Sequence, residues 1–316
     1  MHKILITGAN GFVGSALSHA LEERKIPFTG AVRKNCLPGQ MQVGELNAST
    51  DWRAALAHCS AVIHLAARVH VMHETESDAL SAYREVNVAA SLNLARQAWE
   101  MGVKRFVFVS SVKVNGEATY GTPFCSSDIP APLDPYGVSK LEAEQALQQF
   151  ALQSGMELVI VRPPLVYGPG VRANFQRLME LVRKGWPLPL GAVTNRRSMV
   201  SIDSLTDLLI VCSHDSRAVG QVFMVSDDHD VSTADLLRML ALAMGKRPRL
   251  LPVPHALLQA VANVLGRSAQ ASRVLGSLQV DISHTKQVLG WAPVIGMQQA
   301  LNNTVSNFLA ATSLQD

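Results

Sequence analysis

Only four cysteines occur in the 316 residues, Cys36, Cys59, Cys125 and Cys212, and no two share a C-x-x-C spacing. That shortage excludes a disulfide framework and a zinc or redox motif, predicts no metal ligands, and fits a reducing, cytoplasmic setting. Net charge is also scarce, only +3 with 17% charged residues, so no surface for nucleic acid is expected. No apolar stretch approaches the ~18 residues that span a bilayer. The early lysine and apolar run at the N-terminus superficially suggest a signal peptide, but the glycines that follow explain it as a strand and a turn. Internal repeats, low-complexity tracts and long linkers are absent as well. What remains is a chain that is 48% hydrophobic, long enough for one large or two moderate domains with a sizeable core.

Short apolar runs predict strands over 3–7, 28–33, 61–65, 105–110 and 157–162, with helical stretches between them. This alternation implies a parallel sheet covered by helices on both faces. After Lys3-Ile4-Leu5-Ile6-Thr7 come Gly8-Ala9-Asn10-Gly11-Phe12-Val13-Gly14 and a helical pattern through Val13, Leu17 and Leu21. Strand, glycine turn and helix together bring backbone N–H groups and a helix N-terminus to a pyrophosphate. The spacing is G-x-x-G-x-x-G, with glycines for the tight turn, the phosphate approach and helix–strand packing. Beyond Tyr167 the texture changes to proline- and glycine-marked loops and short helical pieces at 232–244 and 255–265. The expected division is 1–166 for the dinucleotide-binding part and 167–316 mainly for a smaller lobe, with elements near 198–225 able to return to the first. The apolar 255–265 segment, too short to span a membrane, is expected to pack within the lobe.

Tyr136 and Lys140 stand four residues apart and so share one helix face. A tyrosine titrates near ~10 when unperturbed. A fixed positive charge nearby lowers that value, and the pair then serves as a proton shuttle for making or unmaking a C=O group.

With the glycine turn, this pair resembles the short-chain dehydrogenase/reductase superfamily, in its extended, nucleotide-sugar branch. Further matches run in order along nearly the whole chain. Ala61 to Ala67 resembles the strand whose end, at Leu65, Ala66 and Ala67, passes the cofactor. Asn87 lies in the expected helix. Phe106 to Ser111 resembles the strand that delivers the active-site hydroxyl, and Val161-Arg162-Pro163 through Gly170 the family's Arg-Pro…Tyr-Gly-Pro-Gly segment. The resemblance implies an α/β, Rossmann-type, doubly wound parallel sheet with a smaller C-terminal substrate-binding lobe. It implies an NAD(P)-dependent enzyme in which Tyr136 exchanges the proton, Lys140 holds the nicotinamide ribose and Ser111 binds the same substrate oxygen. Gly8, Asn10, Gly11, Phe12, Val13, Gly14, Leu65, Ala66, Ala67, Asn87 and Pro163 are the implied cofactor contacts. Gly44-Glu45-Leu46 resembles the Gly-Asp-Leu segment at the adenine, so Glu45 and Leu46 join them. At the end of the second strand, where NAD-binding members carry an acid, this chain has Arg33 and Lys34. A guanidinium there attracts a 2′-phosphate, which favours NADP(H), with NAD possible.

For the substrate, Asn174 and Arg197 match groups that the family places on a nucleotide diphosphate, probably of UDP; Arg273 is a second candidate cation and Lys113 a further contact. The family's 4,6-dehydratases carry an Asp-Glu pair where this chain has Val112 and Lys113, so dehydration of that type is excluded. UDP-galactose 4-epimerases carry tyrosine where this chain has Asn115. The string Ser111-Val112-Lys113-Val114-Asn115-Gly116-Glu117 looks most like bacterial proteins of surface-polysaccharide pathways, and that resemblance implies, as the first reading, C4 ketoreduction of a UDP-4-keto-6-deoxy-N-acetylhexosamine in surface-polysaccharide biosynthesis such as O-antigen. The alternative is a UDP-sugar 4-epimerase. A non-catalytic NAD(P)-sensing module is disfavoured by the Tyr/Lys pair. The family's habit of dimerising through the tyrosine helix implies a homodimer, with Leu141 and Leu152 of helix 136–153 as covering positions.

Overall fold

The computed structural model describes residues 3–69, 79–266 and 268–313, apart from the side chains of Ala269, Gln270 and Arg273. Seven strands form one all-parallel sheet in the order β3-β2-β1-β4-β5-β6-β9. They are β1 (Ile4–Thr7), β2 (Phe28–Val32), β3 (Gln40–Gln42), β4 (Ala61–His64), β5 (Arg105–Val109), β6 (Glu157–Arg162) and β9 (Val222–Met224). All five expected strands are present. β3 and β9 escape a pattern reading: the first is a polar edge, Gln-Met-Gln, and the second is three residues long. β7 (Leu165–Tyr167) and β8 (Met199–Ser201) form a separate parallel pair.

The central strands are buried on both faces, which is why they read as unbroken apolar runs rather than alternating ones. On one face, α1 (Phe12–Glu23) and α7 (Ile202–His214) cover Ile4, Ile6, Val107 and Val159 with Leu17, Leu21, Leu205 and Leu209. On the other, α2 (Arg53–Leu56), α4 (Ala90–Glu100) and α5 (Pro135–Ser154) cover Leu5, Val62, Phe106 and Phe108. Helix α3 (Ala79–Arg84) runs into α4 through a π-turn at Glu85–Ala89. The chain past residue 198 returns to the sheet through α7 and β9. A third core joins Tyr167, Phe175, Met179, Leu237, Leu240 and Leu301, from β7, α6 (Ala173–Lys184), α8 (Thr233–Ala243) and α12 (Met297–Ser313).

Helices α9 (His255–Val264), α10 (Ser268–Leu275) and α11 (Ser283–Leu289) complete the chain. Here one expectation fails. The apolar 255–265 segment does form α9, but none of its residues is buried. It packs on α10 and leaves Leu257, Val261 and Val264 in solvent.

Connections leave β1 and β4 in opposite directions, because β2 lies on one side and β5 on the other. The crevice beyond Thr7 and His64 is where such sheets take ligands. α5 borders it and has clear local causes. Asp134 caps its N-terminus by accepting from the Gly137 N–H at 2.6 Å, Pro135 supplies the first-turn geometry, and Gly155 ends it in a left-handed conformation at φ 81°. Glu144 then locks it to β6. Arg162 donates from Nε and Nη2 to Glu144 at 2.9 and 2.5 Å, and both side chains are buried.

Removing one member of a buried ion pair leaves the other charge uncompensated. Glu144→Ala should cost about 3–5 kcal/mol in urea unfolding, whereas Glu144→Leu with Arg162→Met should cost much less. A loss below about 1 kcal/mol in the single variant would show that α5 is held by packing alone.

Candidate active site

The glycine loop begins as β1 ends. Gly8 turns with φ 70°, its N–H donating to Ala31 O at 3.0 Å. Gly14 is set by close approach: a Cβ there would lie 2.1 Å from Gly8 O. Gly11 stands at the N-cap of α1, where no side chain caps the helix, so the first-turn N–H groups around Phe12, Val13 and Gly14 remain available to an anion. Asn10 donates to Lys34 O at 3.3 Å, tying the loop to the turn after β2. Deeper in, buried Ser110 Oγ has no hydrogen-bond partner among the described residues. A glycine-punctuated loop on an uncapped helix N-terminus, with an orphan hydroxyl beyond it, fits a dinucleotide.

Across the crevice, the loop after β4 is held by a buried polar chain that sequence reading missed. Thr7 Oγ1 receives the N–H groups of Leu65 and Ala66, each at 3.1 Å, and lies 2.6 Å from His64 Nδ1. His64 Nε2 is 2.8 Å from Ser91 Oγ, which donates to Asn87 O. Asn87 accepts from Arg68 N, donates to Arg68 O and donates to Ser139 Oγ at 2.9 Å; Ser139 in turn donates to Tyr136 O. Asn87, expected at the cofactor, therefore also braces the catalytic helix. It lies in the π-turn, a feature common at functional sites. Burial pulls His64 down to about 3, with the Lys140 charge adding to the effect, so its ring is neutral.

Ser111 lies against Tyr136, and Lys140 stands one turn after Tyr136 on α5. The Ser111 side chain acts on the Tyr136 phenol, and Tyr83 meets the Tyr136 ring edge-on at 6.2 Å. The segment carrying Ser111 is pinned to β6 and its exit by Ser110 N donating to Val161 O at 2.8 Å and Val112 N to Pro163 O at 3.0 Å.

The expected electrostatics need correction. Burial and the Asp134 charge push the Tyr136 phenol above its ordinary value, and only the Ser111 side chain lowers it. Lys140 is not what lowers it here. Its ammonium donates to Val109 O at 2.8 Å and lies 4.5 Å from the Phe108 ring centre. Burial pulls that ammonium down to about 7, opposed by Glu144. Lys140 is thus poised to lose or keep its charge near neutrality.

Lys113, expected on the substrate, is gripped by Glu117 at 2.9 Å and by Asp134, the cap of α5. It positions the helix that bears Tyr136. Asn115 accepts from Arg162 Nη1 at 3.1 Å and donates to Cys125 O. At the other end of the crevice, Arg33 and Lys34 are exposed and lie 3.7 and 3.3 Å from Glu45, while Leu46 is buried. Ala67 lines the loop after β4, half-buried.

The lobe meets the active-site loop through backbone pairing. Thr119 N donates to Ser277 O and Phe124 N to Gln279 O, while Leu278 N donates to Arg196 O. Half-buried Arg197 is thereby built into the layer that backs the Ser111 loop, with its guanidinium on Gly276 O at 3.0 Å. Burial lowers its pKa, which marks a cation short of solvent. Asn174 is exposed in the first turn of α6. The Arg273 side chain lies outside the described residues.

The sequence profile described as "NAD dependent epimerase/dehydratase family" matches residues 4–225. A "UDP-glucose 4-epimerase" of Vibrio cholerae is 49% identical over 318 residues, covering 98% of this chain and 96% of that one. A Bacillus cereus UDP-glucuronic acid 4-epimerase in complex with NAD superposes with a TM-score of 0.78 at 22% identity, over 98% of this chain and 99% of that one. MoeE5 in complex with UDP-glucose and NAD does so with a TM-score of 0.77 at 25% identity, over the same shares.

The neutral His64 carries a pH signature. Its value falls from the ordinary 6.5 to about 3 in the fold. Above 6.5 both folded and unfolded chains hold it neutral. As pH falls through that value, the unfolded chain binds a proton that the fold refuses, and stability drops by about 1.4 kcal/mol per unit until the folded value is reached. Between pH 6.5 and 5, wild type should lose about 2 kcal/mol more than His64→Gln in urea unfolding. Parallel losses in the two proteins would remove His64 from the acid response.

Proposed function

Because this chain belongs to the NAD dependent epimerase/dehydratase family, and is an enzyme acting on nucleotide sugars with a nicotinamide dinucleotide, we propose that it interconverts the C4 epimers of a UDP-sugar with NAD retained in the site. When bound, the dinucleotide supplies hydride exchange at the sugar carbon. The chain supplies the proton chemistry and the geometry. Tyr136 takes the proton as the C4 hydroxyl becomes a ketone and returns it when the hydroxyl re-forms. Ser111, whose side chain acts on the Tyr136 phenol, fixes the oxygen at which this happens. In epimerisation this proton account closes within one turnover, so no external acid or reductant is needed.

The observation that carries the choice is Glu45. It ion-pairs with both Arg33 and Lys34, so a carboxylate shares the end of the crevice with the two cations that would draw a 2′-phosphate and offsets part of their charge. That supports NAD over NADP. The extended likeness to a UDP-glucose 4-epimerase supports the same reading. Ketoreduction of a UDP-4-keto-6-deoxy-N-acetylhexosamine with NADPH, which the sequence alone ranks first, is the second reading, favoured by the two basic side chains themselves. Arg197 and Asn174 are the proposed diphosphate ligands. Exposed Leu152 on α5 supports a homodimer through that helix.

Purified protein should equilibrate UDP-glucose with UDP-galactose, or the N-acetylated pair, without added reductant. Tyr136→Phe should slow this by ~10²–10⁴-fold. Stoichiometric NADPH oxidation by a UDP-4-keto-6-deoxy sugar, with no interconversion of either pair, would establish the second reading instead.

A further inference from the structure

The charge of this chain is unevenly distributed. From Leu181 to Ile202 and from Leu236 to Val280 the sequence has ten Lys and Arg and no Asp or Glu, although the whole chain is only +3. The remainder is therefore net acidic. Among the described residues of these stretches, Lys184 ends α6, and Lys246, Arg247 and Arg249 lie on the segment that leads into an unusual apolar surface.

That surface is α9 and what leads into it. Leu257, Val261, Val264 and Leu265 are 55, 50, 88 and 63% exposed. Their spacing of four, seven and eight residues puts them on one face of the helix. A large exposed apolar stripe of this kind marks an interaction site rather than ordinary surface. Leu251, before the helix, and Trp186, after α6, are 51 and 61% exposed. The two segments are knitted together: Leu188 N donates to Arg249 O and Leu251 N to Leu188 O, both at 2.8 Å, and Lys246 donates to Arg183 O. Lys184 lies 5.3 Å from the Trp186 ring centre. Basic side chains and an aromatic ring thus stand on the paired segments that lead into the apolar helix.

We propose that this side of the lobe docks on an anionic lipid surface, with α9 lying in the interface plane. Apolar side chains that enter the headgroup boundary, tryptophan at its level and basic groups towards anionic lipids are the chemistry of an interfacial helix. Among the described residues no helix is long and apolar enough to cross a membrane, so the contact is peripheral. A second copy is the poorer occupant, because two such cationic faces repel. The proposal is independent of which reaction the crevice performs.

The test is flotation of the full chain with vesicles. Wild type should float with vesicles of phosphatidylglycerol in phosphatidylcholine at low salt, should release as salt rises, and should ignore phosphatidylcholine alone. Lys246→Glu with Arg247→Glu and Arg249→Glu, and separately Leu257→Asp with Val264→Asp, should each lower partitioning at least about tenfold. All five side chains are exposed, so thermal melting and turnover of a water-soluble nucleotide sugar should match wild type. Wild type that stays unbound with anionic vesicles at low salt overturns the proposal. So does equal binding to both vesicle types that the charge reversals leave unchanged. Sedimentation in which Val264→Asp splits an oligomer, with vesicles ignored, overturns it in favour of a self-association face.

Discussion

The buried pair Glu144–Arg162 holds α5 against β6, and Tyr136 and Lys140 stand about two turns and one turn before Glu144 on the same helix. Much of the site's geometry depends on that clamp. At the other end of α5, Lys113 grips the capping Asp134, so the first turn, where Tyr136 sits, is fixed from the Ser111 loop. From the side, Ser139 joins the helix to Asn87 and so to the His64–Thr7 chain under the glycine loop. Three independent contacts therefore place one hydroxyl, which is what proton transfer at a defined oxygen requires.

The same burial that fixes the groups sets their chemistry. Desolvation raises Tyr136 and lowers Lys140 to about 7. A raised phenol is a poor acid by itself, so the site's reactivity rests on groups that stabilise its ionised form, of which Ser111 is one. Glu144 serves twice: it compensates Arg162 and opposes the loss of the Lys140 charge.

Much of this was legible in the sequence because it is local. The glycine turn, Tyr136 with Lys140, and the strand at 105–110 are fixed by spacing within a few residues, and the structure brings them to one crevice. What was illegible depends on partners far apart in the chain. Nothing in Lys113 reveals that Asp134 will claim it, and His64 reads as a strand residue until Thr7 and Ser91 meet it. Glu45 matched the adenine segment, but its pairing with Arg33 and Lys34 needs the fold. α9 misled for another reason: apolar composition measures what a helix could bury, not whether the fold gives it anything to bury against.

The central claim is that Tyr136 and Ser111 serve a redox cycle that begins and ends on one sugar, with the dinucleotide kept in place. The most direct measurement follows a deuterium label at C4 of a UDP-sugar, mixed with an unlabelled second UDP-sugar and excess free NAD, and traced by mass spectrometry as the epimers equilibrate. The account predicts that the label stays at C4 of the sugar that carried it in, on either epimer, with none in the second sugar, in free cofactor or in water. Label accumulating in free reduced cofactor, with no epimer formed, would contradict it.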